Sequence, residues 1–192
     1  MPLPMMKPMH RVRCLLSVGL ALLACACDTS GFVEDSTEET SLRLDAAQPH
    51  VVKRLRLRAK TRADADAKFS HLSVNVSSSV RWSPEEGTRT DVLPWYRIRM
   101  VNDPGGEVQS ERVFVMKPFD HHEYVSVSAD ADVKAPLDTA DASFRLEFDR
   151  QGAPSEGAFT VTWKAYGTLY TDDGDPEDIQ FTVTEESDPP AP

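Results

Sequence analysis

The chain has 192 residues, with 21 basic and 31 acidic side chains and a net charge of −10, which argues against a general nucleic-acid binder, since that would be basic overall. Its three cysteines, Cys14, Cys25 and Cys27, all lie near the N-terminus. From Asp28 onward there is therefore no internal disulfide, thiol nucleophile or cysteine-ligated metal, and a folded body must rest on its apolar core alone.

The first 13 residues carry Lys7, Arg11 and Arg13 and no acid, and an apolar run of eleven residues, 14–24, follows. A basic head, a short apolar middle and then small residues form the pattern of a secretory signal peptide. The run is shorter than the ~20 apolar residues that a membrane span needs. Within it, Leu22-Leu23-Ala24-Cys25 resembles the lipobox of bacterial lipoproteins, and this resemblance covers only the first 27 residues. It implies cleavage before Cys25 and lipid on its sulfur. It also implies a place in the cell envelope, anchored to the inner or outer membrane on its periplasmic or surface face. A second frame, Ala24-Cys25-Ala26-Cys27, would put the lipid on Cys27, although it lacks the large aliphatic residue three positions before the cysteine. Removing residues 1–24 leaves 168 residues with 18 basic and 31 acidic side chains, a net charge of −13. Such a charge favours solubility and disfavours association with anions.

Residues 25–49 read as the lipidated cysteine and a flexible acidic tether. Residues 28–49 are acidic and polar, with Phe32 as the only aromatic. A flexible linker of about 20 residues has an end-to-end distance of about 25 Å. Residues 41–45 alternate and suit a short first strand. Residues 50–185 form the expected folded domain, and 186–192 a disordered tail.

From Val51 the hydrophobic period becomes two, the mark of a strand with one buried face. Leu55, Leu57 and Ala59 share one face and Arg54, Arg56, Arg58 and Lys60 the other. Leu72, Val74 and Val76 form the next face, with Val80 and Trp82 after a break at Ser77-Ser78-Ser79. Tyr96, Ile98 and Met100 stand opposite Arg97 and Arg99, before a strong turn at residues 102–106. Residues 113–116 are apolar on both faces, as in a central strand covered on both sides. Residues 124–129 suit a further strand, whereas 130–141, rich in Ala and Asp and containing Pro136, read as a connector. Phe144, Leu146 and Phe148, then Phe159, Val161, Trp163 and Ala165, and finally Ile179, Phe181 and Val183 complete the set. The expected fold is all-β, a single β-sandwich of about 7–9 strands of immunoglobulin- or fibronectin-like type, with a jelly roll or small barrel as the alternative.

Four groups of residues are candidate sites. Asp120, His121, His122 and Glu123 are potential metal ligands only if they form a loop, because neighbours on a strand point to opposite faces. Asp172, Asp173, Asp175, Glu177 and Asp178 crowd one stretch that would supply calcium with oxygen ligands. The competing reading is a hairpin turn shaped by Gly174 and Pro176. Asp130 and Asp132 are weaker candidates of the same kind. The row Arg54, Arg56 and Arg58 suits either cross-strand ion pairing, with Glu147 and Asp149 as partners, or an anion-binding face. Trp95 and Tyr96 are neighbours, so a strand exposes one of them, and Tyr166 and Tyr170 fall opposite Trp163; exposed aromatics stack on sugars or mark a protein interface. No catalytic motif of the serine-hydrolase, zinc-protease, P-loop or dinucleotide type is present. The expected function is therefore a non-catalytic, membrane-anchored domain that binds an envelope protein or polymer, needs no cofactor and binds no nucleic acid. The alternatives are a carbohydrate or small-ligand module with a calcium loop and a hydrolase with dispersed carboxylates.

Overall fold

The structure, a computed structural model, describes residues 31–84, 93–117, 123–151 and 157–186. Its strands are β1 (Phe32–Ser36), β2 (Thr40–Leu44), β3 (His50–Thr61), β4 (Lys68–Ser83), β5 (Trp95–Asp103), β6 (Val108–Val115), β7 (Glu123–Leu137), β8 (Thr139–Gln151), β9 (Ala158–Asp173) and β10 (Ile179–Glu186). They form two five-stranded sheets. Sheet A runs β1–β9–β4–β7 with β2 also on β9, and sheet B runs β10–β3–β8–β5–β6. All pairings are antiparallel.

The expected sandwich is thus observed, as two sheets and not a closed barrel. The pairs β3–β10, β4–β9 and β5–β8 nest one inside the next around β6 and β7, a long hairpin rolled up in jelly-roll fashion. The core forms where the alternating apolar faces of both sheets meet, and Trp82, Trp163, Tyr96, Phe69, Phe148 and Phe159 are fully buried there. Two aromatic contacts bridge the sheets: Phe148 lies 5.8 Å from Trp163, and Tyr96 meets Phe159 edge-on at 6.3 Å between centroids. Such pairs add about 0.5–1.5 kcal/mol each beyond the area they bury.

Four expectations need correction. The tether does not extend through residues 25–49, because Phe32–Ser36 and Thr40–Leu44 are strands. β1 and β2 lie end to end along the same edge of β9. Thr37 bridges the gap between them: its N–H donates to the Ala165 carbonyl at 3.0 Å, and its hydroxyl accepts from the Ala165 N–H at 3.1 Å. Second, Ser77, Ser78 and Ser79 do not break β4. Ser78 is buried in line with Val76 and Val80, and the register irregularity falls at residues 69–71 instead. Third, residues 130–141 lie in β7 and β8 apart from the turn at Asp138. Pro136 is tolerated because β7 is an edge strand, where a missing N–H interrupts no second ladder. Fourth, β6 is an edge strand and not a central one, with Val113 and Val115 exposed on its outer face.

The two sheets meet along one side where β1 faces β10. Asp35 points inward, and its carboxylate accepts the free edge N–H of Val183 at 2.8 Å. On the adjacent strand Gly167 leaves the room this requires, since a Cβ there would lie 2.3 Å from Val183 Cγ2 and 2.8 Å from Phe181 Cζ. An inward carboxylate on an edge N–H also blocks that edge from pairing with another chain. We expect Asp35→Ala to lower stability by about 1.5–3 kcal/mol through loss of a charge-assisted bond. Gly167→Ala should lower it by about 1–3 kcal/mol through overpacking. Urea denaturation followed by tryptophan fluorescence measures both, and unchanged midpoints would show that these residues do not hold the seam.

Candidate functional site

The outer faces of the two sheets differ in chemistry. On sheet B the arginines of β3 and β5 lie among acids from β8 and β10 and from the end of β5. Arg56 makes a two-pronged contact with Asp141, at 2.7 and 2.6 Å, and reaches Glu186 at 3.0 Å. Arg58 lies 3.6 Å from Asp141 and Arg54 3.4 Å from Asp103. Glu147 and Asp149 are buried beneath side chains that cover them: Arg99 reaches Glu147 at 2.5 Å, Arg97 grips Asp149 at 3.0 and 2.9 Å, and His50 Nδ1 is 2.7 Å from Asp149. The cross-strand pairing expected for this row is what the structure holds, with one change. Glu147 and Asp149 pair with the β5 arginines, and the β3 row takes Asp103, Asp141 and Glu186. A face whose cations are already matched has little net field with which to draw an anion.

The hydrogen bond from the Arg56 guanidinium, helped by its charge and that of Arg58, holds the Asp141 carboxyl below the ordinary value of 3.8. A group depressed in the folded state contributes stability above its unfolded value and loses it as the pH falls through the folded one. Stability should therefore decline below about pH 4, and Asp141→Asn should flatten that decline in acid titrations of the urea midpoint. Removing a partner of a buried carboxylate is the larger perturbation. Arg97→Met should cost about 3 kcal/mol, whereas Arg58→Ala at the exposed end of the row should stay within about 0.5 kcal/mol.

The other candidates are placed as follows. Asp172 accepts from the Ser70 hydroxyl at 2.6 Å, Asp173 from the Gly174 N–H at 2.9 Å and Asp175 from the Glu177 N–H at 3.0 Å. Gly174 takes φ 85° against Ala67, and Pro176 opens a short 3-10 turn, Pro176–Asp178, so the stretch is a turn shaped by these two residues. Among the described residues no three His, Cys, Asp or Glu side chains come together as metal ligands. Asp130 lies 3.4 Å from His71. Asp120, His121 and His122 are outside the described residues, as are Cys25 and Cys27, while Glu123 opens β7. Trp95 is half-buried on the outer side of sheet B. Tyr96 faces the core with no exposure, which corrects its candidacy as a binding residue, and burial pushes its hydroxyl far above the usual phenol range.

Sheet A carries the face that sequence reasoning did not assemble. Its central strands, β4 and β9, are each 16 residues long. Outward along β4 stand Ser73, Asn75, Ser77 and Ser79. Their partners on β9 are Thr168, Tyr166, Lys164 and Thr162, and on β7 Asp130, Ser128, Ser126 and Tyr124. Tyr124 is 80% exposed, and Tyr166, Tyr170 and Phe32 also stand out. Lys164 Nζ sits 5.0 Å from the Tyr166 ring centre, and His71 stacks at a tilt 5.5 Å from Tyr170. Ser77, Ser79, Ser126, Tyr124, Lys164, Tyr166 and Glu39 surround a shallow groove of about 320 Å³. The signal in the sequence was the strict alternation of small polar residues on β4, as regular as that of the apolar ones.

No protein-family model matches the chain, and no curated protein matches it. Among solved structures it is similar to that of infectious bursal disease virus, Gx strain, at 9% identity and a TM-score of 0.35, over 81% of this chain and 39% of that one. It is also similar to the VP2 subviral particle of infectious bursal disease virus, at 10% identity and a TM-score of 0.30, over 78% of this chain and 43% of that one. A third similarity is to the decameric BFDV capsid protein, at 11% identity and a TM-score of 0.29, over 74% of this chain and 97% of that one. Likenesses this distant carry no functional argument. Among the described residues no helix is long and apolar enough to cross a membrane.

Proposed function

We propose that the chain is a lipid-anchored, non-catalytic lipoprotein of the bacterial cell envelope, whose sandwich holds an envelope polymer or protein on the outer face of sheet A. The observation that carries the binding role is the continuous polar floor of β4 and β9, flanked by exposed tyrosines. Binding surfaces built on long, doubly paired strands are already ordered and lose little conformational freedom when occupied. Sheet B is the poorer candidate because its charges are satisfied within the face. The anchor is supported by Leu22-Leu23-Ala24-Cys25 after a basic head and an apolar run. Multiple acyl chains hold a protein to a membrane stably where a single chain does not.

Both parts are testable in cells. An alkyne-bearing fatty acid should label the wild-type chain and not Cys25→Ser. Label lost only in Cys27→Ser would move the anchor to the second frame, and label lost in neither would remove the anchor. Ser77→Arg places a long cation on the floor of the groove and should abolish retention of the envelope component cross-linked to the wild type, whereas Arg58→Ala on sheet B should retain it. Equal retention by both variants would exclude the sheet A face.

A further inference from the structure

The occupant of sheet A is constrained by what that face lacks. Between the tyrosines the floor carries Asn75, Ser77 and Ser126 and no apolar side chain, so it has no pocket for the apolar or aromatic anchor that dominates a protein interface. A guest strand cannot add to β4 or β9, because each is paired on both sides. A nucleic acid would need a row of cations for its phosphates, whereas between the tyrosine levels the face carries Lys164 and Asp130, one charge of each sign.

What the face offers is hydroxyls, amides and flat rings at repeated stations. Tyr170 and Tyr166 lie four residues apart on β9, and Tyr124 stands at the level of Thr162, four residues further along. At 3.3 Å per residue the three levels are about 13 Å apart, and they span about 26 Å in all. Tyr124 is displaced two strands sideways, by about 10 Å, so the stations run obliquely across the sheet.

We propose that the occupant is an extended, uncharged glycan lying across β9 and β4, with sugar rings against Tyr170, Tyr166 and Tyr124 and its hydroxyls bonded to the Ser and Asn floor. This rests on the reading of sheet A as the binding face and names the ligand class for it. A floor of small polar side chains, on which Lys164 and Asp130 offset each other, matches a neutral polymer, and rings with an apolar face and a polar rim suit tyrosine, which is apolar in body and polar at its tip. The spaced stations require a chain of several sugars, because a single ring reaches only one of them.

The test uses the full chain in detergent, with affinity electrophoresis and calorimetry. The probes are chito-, cello-, xylo- and malto-oligosaccharides of increasing length, neutral polysaccharide extracted from the envelope of the producing cells, and heparin as the anionic contrast. We expect at least one neutral glycan to bind, with affinity rising with chain length. Tyr166→Ala and Tyr124→Ala should each weaken it about tenfold, with the urea midpoint unchanged because both side chains are exposed. Arg58→Ala should bind as the wild type does. Retention of heparin alone, of no glycan, or of single sugars as tightly as long chains overturns the proposal. If the glycans fail while Ser77→Arg still abolishes envelope capture, the ligand class is wrong and the face stands. If a glycan binds Ser77→Arg and both tyrosine variants unchanged, the face itself is wrong.

Discussion

β9 needs a partner on each side, and the rest of the molecule depends on how it obtains them. Its inward residues, from Phe159 to Leu169, are core, and its outward residues include Tyr166 and Tyr170. β4 covers one side along its whole length, and the other is covered by the N-terminal segment, as β1 and then β2. Without that segment β9 would present a long, unpaired edge beside a row of apolar side chains, the arrangement that invites association with other chains. The same segment brings Asp35 to β10 and so closes the sandwich at that side. With no disulfide from Asp28 onward, this pairing takes the place of a covalent tie.

The two outer faces divide the remaining chemistry. Sheet B turns its charges upon one another, with carboxylates on β8 covered by arginines from β5. Two partners taken out of water together gain little net stability, but neither can be lost without stranding the other. Register is thereby enforced, since a slip of one residue would bring Arg97 and Arg99 out of line with Asp149 and Glu147. Sheet A lines its outer face with small hydroxyls and rings, and its floor is rigid because both of its long strands are central.

Much of the architecture was legible in the sequence, because an antiparallel sandwich writes its buried face as every second residue. The apolar faces expected for β3, β5, β8, β9 and β10 are the buried ones, although Val101 on β5 and Glu147 and Asp149 on β8 are buried as well. Misreading occurred where the period is interrupted or where polarity was taken for absence of structure. Between β1 and β2 one extra residue shifts the register, so Val33 and Asp35 face inward but so do Leu42 and Leu44. The two halves of the segment cannot be fitted to one alternation, and its acids suggested a tether. Three serines in a row suggested a break, although Ser78 simply occupies a core position. The apolar run at residues 113–116 suggested burial on both faces, yet it stands at an edge, because strand order depends on distant pairings that local pattern does not encode. The candidate face escaped notice for the same reason: its tyrosines come from β9 and β7, which meet only through β4.

The entry of the chain into the fold also sets how the domain bears mechanical load. Gly31 is bonded through both its N–H and its carbonyl to Thr171, and β1 follows antiparallel to β9 from that same end. β10 starts from that end too, after the Pro176–Asp178 turn beside Gly31, runs in the same direction as β1 and leaves the sandwich at the far end, opposite Arg54. Tension between the N-terminus and the C-terminus, or cargo gripped on sheet A, is thus directed along the strands. Ladder hydrogen bonds lie across that direction, so those joining β1 and β2 to β9 share the force and must slide together. They cannot be unzipped one after another from the pulled end, and a first segment that reads as slack tether is the part of the fold placed to resist a pull.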